Sequence, residues 1–137
     1  MAITKSETID VVLFDLGNTL LYFEGDWSRV LDDANRALTR SLQQAGFAMD
    51  TQAFTTRVHQ QMEQYYAQRQ SEFVETTTAY LIRSILNDWG YLEVPDEMLR
   101  QALRDMYAVS QAHWLPEEDA LPTLEKLSSL GYHLGLI

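Results

Sequence analysis

The sequence predicts an α/β protein: a small parallel sheet covered by helices and interrupted by a helical bundle. Three observations carry this. Val11, Val12, Leu13 and Phe14 form an unbroken apolar run that stops at Asp15, the pattern of a strand buried on both faces. Four amphipathic stripes then follow with no strand pattern between them, as in a small bundle. The last stretch holds a helix stopped by Gly131 and a second strand-like run, YHLGLI.

The totals set the class. The chain has 137 residues, 46% of them hydrophobic and 22% charged, which suits one ordinary globular domain with a real core. Net charge is −10, and the ten basic residues are dispersed, so no nucleic-acid footprint is expected. Such a surface repels phosphate esters, and an anionic substrate would need a local cation, most simply Mg²⁺. There are no cysteines, which excludes disulfides, thiolate metal sites and a Cys nucleophile. MAITKSETID lacks the apolar core of a signal peptide, and no apolar run nears membrane-spanning length. The expectation is a soluble cytoplasmic protein without a membrane partner.

In order, Ala2 to Thr8 is a polar lead-in to the strand Ile9–Phe14. Gly17 and Asn18 follow Asp15 at once, and both tolerate a tight turn. Asp15 thus ends a strand where open α/β sheets bind ligands. A carboxylate held there suits a nucleophile or a metal ligand. Glu24-Gly25-Asp26 is a turn cluster and a boundary.

The first helix starts near Asp26 or Ser28, either a suitable cap, carries Val30, Ala34, Leu38 and Leu42 inward, and stops at Gly46. The second opens at Asp50 or Thr51, with Phe54, Val58, Met62, Tyr65 and Tyr66 on one side. A third runs from about Glu75 to Trp89, with Leu81, Ile82, Ile85 and Leu86 as its stripe. A fourth begins at Pro95-Asp96-Glu97 and turns Leu99, Ala102, Leu103, Met106 and Tyr107 inward. Trp114-Leu115-Pro116 reads as a linker. Pro122 suits the first turn of a fifth helix, striped by Leu124, Leu127 and Leu130. A right-handed crossover would lay the last strand parallel to the first, with the helical block inserted above the carboxyl end of the sheet.

With this layout the chain resembles the haloacid dehalogenase superfamily of hydrolases, in the subgroup with a helical cap after the first core strand. FDLGNTL, residues 14–20, is similar to the family's first motif, D-x-D-x-T, with Asp15 and Thr19 in place. The helical block has the cap's position and size, and LPTLEKLSSLGYHLGLI resembles the helix and strand leading to the second motif. The resemblance implies an incomplete doubly wound, Rossmann-like parallel core in residues 1–22 and 113–137, with a four-helix cap in 23–112. It implies a Mg²⁺-dependent phosphatase acting on a small phosphorylated metabolite. Asp15 would be the nucleophile, passing through an aspartyl-phosphate, and Thr19 would orient its loop. Mg²⁺ would be held by the Asp15 carboxylate and the Gly17 backbone carbonyl.

Two departures shape the expectation. Gly17 stands where most phosphatases of the family carry a second Asp as general acid and base, a role that typically contributes about 10²–10⁴-fold. The metal-binding carbonyl survives while the proton donor does not. The family's phosphoryl-binding Ser or Thr, its Lys and its further acidic ligands also have no counterpart here, and Lys5 and Lys126 sit in the wrong places to replace the Lys. On the resemblance, residues 1–137 are expected to be an amino-terminal part of the enzyme, inactive alone and associating through exposed core strands.

Two other functions stay open. A haloacid dehalogenase needs no acid for its leaving halide, although a bulky residue is usual at position 17 in that group. A non-catalytic binding or regulatory member would have kept the fold and lost the acid. Tyr22, Phe23 and Trp27 line a pocket or, in two of three cases, pack a hinge. Tyr65, Tyr66, Tyr80 and Trp89 read as bundle core. His59, His113 and His133 lack ligand spacing, and Glu24, Asp26 and Glu117-Glu118-Asp119 read as solvated turn or helix-start residues.

Overall fold

The computed structural model describes residues 4–6 and 8–137. In chain order the elements are β1 (Val11–Phe14), β2 (Leu21–Phe23), α1 (Trp27–Gln44), α2 (Thr51–Glu72), α3 (Thr78–Asp88), α4 (Asp96–Gln111), β3 (Trp114–Pro116), α5 (Ala120–Ser129) and β4 (His133–Leu136). They fall into two compact units, one bounded by Met1–Gly25 and Ala112–Ile137, the other by Asp26–Gln111. The described residues are mostly helical, with one small parallel and one small antiparallel sheet.

In the first unit β1 pairs with β4 in parallel, Val11 opposite His133 and Phe14 opposite Leu136. Backbone bonds prolong the ladder at both ends, from His133 N–H to the Asp10 carbonyl (2.8 Å) and from Ile137 N–H to that of Phe14 (2.9 Å). β1 is not buried on both faces as its unbroken apolar run predicts. Val11 and Leu13 are 54% and 57% exposed, while Val12 and Phe14 are half-buried. Phe14 and Leu16 share an apolar groove with Leu134, Leu136 and the α5 residues Leu121 and Leu124, but Leu136 and Leu121 stay 62% exposed, so α5 covers that face only in part. The face of Val11 and Leu13 stays open. Hydrophobic run length reports which residues prefer burial, not whether a second layer is there to supply it.

The expected linker Trp114-Leu115-Pro116 is instead β3, antiparallel to β2, with Leu21 opposite Pro116 and Phe23 opposite Trp114. Three residues are too few for a period-two pattern to show, and Pro116 is tolerated because it ends the strand. This pairing moves Phe23 out of the helical block and sets the unit boundary after Gly25.

The helical unit is built by its caps and stripes. Asp26 accepts from Arg29 N–H at 3.0 Å and Asp50 from Ala53 N–H at 2.8 Å, so the Asp of each candidate pair is the cap and Ser28 lies inside α1. α3 starts later than Glu75 because Thr77 caps it, accepting from Tyr80 N–H at 3.2 Å. Glu75 instead pairs with Arg69 (2.7 Å) and accepts from Tyr65 Oη (3.0 Å). Leu38, Leu42, Phe54, Val58, Ile82, Ile85 and Leu86 form the centre of the core with Leu99, Leu103 and Met106.

Trp89 packs edge-on against Phe54, centroids 5.3 Å apart, as the stripe predicts. Tyr66, Tyr80 and Tyr107 do not join the core; all three are exposed. α2 is 22 residues long against 11 in α3, and its buried residues stop at Val58, with Met62 only partly covered. Farther along, Tyr65 is half-buried, its hydroxyl donating to Glu75 and accepting from Thr76 N–H at 3.3 Å. Among the described residues, no helix is long and apolar enough to cross a membrane.

Candidate active site

Asp15 follows β1 directly and is exposed at that strand's carboxyl end. The chain then closes a tight turn. Leu20 and Leu21 N–H groups donate to the Leu16 carbonyl at 2.9 and 3.0 Å, and Asn18 N–H donates to that of Leu21 at 2.7 Å. Asn18 takes the left-handed backbone with φ 59°, whereas Gly17 is not among the positive-φ residues. Asn accepts that conformation more readily than most residues, so the turn's strain falls on Asn18. Leu20, 8% exposed, anchors the far side.

Within this turn the Thr19 hydroxyl donates to Asp15 Oδ2 at 3.2 Å. Two of the sequence-predicted site residues are therefore joined directly. The third, Gly17, keeps its carbonyl outside the turn's own bonding, which uses the carbonyls of Leu16 and Leu21. An Asp15 carboxylate and a Gly17 carbonyl are hard oxygen donors, and Mg²⁺ commonly keeps several waters beside one or two protein ligands. The donor set thus fits Mg²⁺ in kind. Among the described residues, no group of three or more His, Asp or Glu side chains gathers into a fuller cage.

Trp114 is the residue that sequence reasoning missed. A Cβ built on Gly17 would stand 3.6 Å from Trp114 Cη2 and 3.7 Å from Cζ3, so the indole's six-membered ring lies against the side of the turn. Phe23 holds that ring edge-on, centroids 5.4 Å apart, in the register set by the β2–β3 pair. No spacing rule links positions 17 and 114, and only the missed strand pairing brings them together.

The other candidates find structural partners. His113 Nδ1 donates to the Glu24 carbonyl at 2.7 Å, and Glu24 N–H donates to the His113 carbonyl at 2.8 Å. With Phe23 stacked on its ring at 5.7 Å, His113 clasps the end of the β2–β3 pair. The Asp26 carboxylate is committed to its cap. Lys5 pairs with Asp10 at 2.8 Å, at the opposite end of β1 from Asp15. That ammonium, by hydrogen bond first and charge second, holds the Asp10 carboxyl below the usual carboxylate range.

Beside α5, an open groove of about 550 Å³ is lined by apolar side chains including Phe14, Leu16, Leu20 and Leu136. Asp15 is not among them; the strand's alternation turns it away. No protein-family model matches the chain, and no curated protein matches it.

Proposed function

We propose that the protein carries the nucleophile part of a Mg²⁺-dependent phosphatase site of the haloacid dehalogenase type, acting on a small phosphorylated metabolite in the cytoplasm. The parallel β1–β4 pair would be the centre of a doubly wound core. The observation that carries the reading is the Asp15 carboxylate at the end of a parallel strand, bonded by Thr19 at 3.2 Å. An exposed carboxylate on a fixed strand end has one oxygen held by Thr19 and a second free to attack.

In this reading an Asp15 oxygen bonds to phosphorus, and the ester P–O bond breaks with its electron pair leaving on the alcohol oxygen. Water then attacks the aspartyl-phosphate, releasing phosphate and restoring the carboxylate, with the water's protons passing to solvent. Bound Mg²⁺ would neutralise phosphoryl charge that a chain of net charge −10 otherwise repels. Thr19 fixes the attacking group's orientation. Gly17 supplies no proton, so departure depends on the leaving group's own acidity.

Because the phosphoryl-binding hydroxyl and Lys of such a site lack counterparts in residues 1–137, the test is binding, not turnover. Mg²⁺ should shift the backbone amide resonances of residues 15–19, and Asp15→Asn should abolish the shift while leaving the rest of the spectrum intact. Shifts elsewhere, or shifts that persist in Asp15→Asn, would remove Asp15 from the role.

A further inference from the structure

We propose that Trp114 is a specificity-determining residue of this site, forming an aromatic platform beside Asp15 that selects phosphate esters with aromatic leaving groups. The inference rests on the phosphatase reading of Asp15 and adds to it a substrate class. Phe14 and Leu16 both line the groove on the α5 face. Gly17 lies two residues beyond Asp15, in the same turn that the Thr19–Asp15 bond spans. The Trp114 ring stands 3.6 Å from where a Gly17 Cβ would be. Two residues separate Asp15 from this contact, a span of at most about 7 Å. That is the reach of one phosphoryl group and its ester oxygen.

The chemistry of the turn agrees with a ring at this place. Gly17 offers no acid, so the departing oxygen must leave as an anion when the P–O bond breaks. A phenol-like oxygen, with a pKa of about 10 as in Tyr, carries that charge far better than an aliphatic alcohol. A Cβ at Gly17 would already touch the indole at 3.6 Å, so with glycine there the ring borders the turn directly. Trp114 is half-buried, held edge-on by Phe23 at 5.4 Å, and so is pre-oriented with part of its surface accessible. One substitution pattern, Gly at 17 with Trp at 114, both removes the proton donor and supplies a surface for leaving groups that need none.

The test compares phenyl phosphate, ethyl phosphate and phenol on the 137-residue chain with Mg²⁺, following the indole N–H resonance of Trp114, assigned by its loss in Trp114→Phe. Phenyl phosphate should bind about fivefold tighter than ethyl phosphate, the scale of one aromatic contact, and phenyl phosphate and phenol should both shift the Trp114 resonance. Trp114→Leu should erase the preference by lowering phenyl phosphate affinity toward that of ethyl phosphate, and Trp114→Phe should keep most of it. Equal affinities in the parent chain, or a preference surviving Trp114→Leu, would overturn the proposal while leaving the Asp15 reading standing. Phosphate binding that is indifferent to Asp15→Asn, or absent altogether, would sink that reading and the proposal with it. Should Trp114→Leu fail to fold, the indole shift and the Trp114→Phe ratio still decide.

Discussion

Thr19 donates its hydroxyl hydrogen to Asp15 Oδ2 across 3.2 Å, within a turn whose backbone is closed by three further bonds. Both side chains are exposed, so the bond adds little to stability and acts chiefly on orientation. Thr19→Val keeps the branched shape and removes the donor. Its unfolding free energy should change by no more than about 0.5 kcal/mol, as for a surface substitution. Mg²⁺ affinity at the turn should fall about threefold, the scale of one exposed hydrogen bond, and Thr19→Ser should restore it. Isothermal titration of the three proteins checks this; an unchanged affinity in Thr19→Val would make Thr19 a turn residue only.

Gly17 has no need of its glycine for backbone reasons, since its φ is not positive. An added Cβ meets the Trp114 ring at 3.6 and 3.7 Å, ordinary contact distances. Gly17→Asp should therefore fold, with a stability change within about 1 kcal/mol. The second carboxylate should tighten Mg²⁺ binding about fivefold or more, given roughly 1 kcal/mol per unit-charge pair at 4 Å in water. A loss of more than a few kcal/mol on thermal unfolding would show that the turn cannot accept a side chain. Weaker Mg²⁺ binding would place the new carboxylate outside the metal's reach.

The parts of the fold legible in the sequence are those where a local pattern and its consequence share a few residues. Asp26 and Asp50 announce their caps three residues ahead of Arg29 and Ala53, and Leu38, Leu42, Ile82 and Leu86 fall on helical stripes that are buried. The Asp15–Thr19 contact is equally local, four residues apart in one turn. What stayed hidden depends on distant partners. β3 is too short to carry a period, and its pairing with β2 joins residues more than ninety positions apart. Trp114 at Gly17 follows from that pairing alone. The apolar run itself did not announce the exposure of Val11 and Leu13, since an apolar side chain states only a preference for burial; the expectation of exposed core strands came from the resemblance and its incomplete core.

Asn35 is 1% exposed in α1, and neither its Oδ1 nor its Nδ2 has a hydrogen-bond partner among the described residues. Its neighbour one turn on, Thr39, satisfies itself by donating to the Asn35 backbone carbonyl at 2.8 Å. A buried polar group left unpaired costs about 1–3 kcal/mol, and Leu is also the better helix former. Overpacking by the larger side chain opposes this with a similar ceiling, but only in a rigid site. Asn35→Leu should raise the thermal midpoint by several degrees, on the scale of about 1 kcal/mol. A lower midpoint in calorimetry would mean that the amide has a partner in solution.

The parallel β1–β4 pair should draw copies of the chain together. Its sheet has two strands, so the outer edge of each strand is free of any partner among the described residues. The open face is apolar: Ile9, Val11 and Leu13 are 50%, 54% and 57% exposed, and Ile137 is 78% exposed. Free backbone edges bordered by exposed apolar side chains are templates for pairing with another strand. Like strands meeting across a twofold axis would close such an assembly at a dimer. Opposing this is the net charge of −10, whose repulsion acts over about 10 Å at 0.1 M salt and about 3 Å at 1 M. Association should therefore strengthen with salt, the reverse of an assembly held by ion pairs. Leu13→Lys places a charge on the open face at a position already more than half exposed, so it should shift the equilibrium to monomer without loss of helical signal. Sedimentation equilibrium at low and high salt measures both effects. A chain that stays monomeric at every salt concentration, and a Leu13→Lys variant indistinguishable from it, would show that this face does not associate.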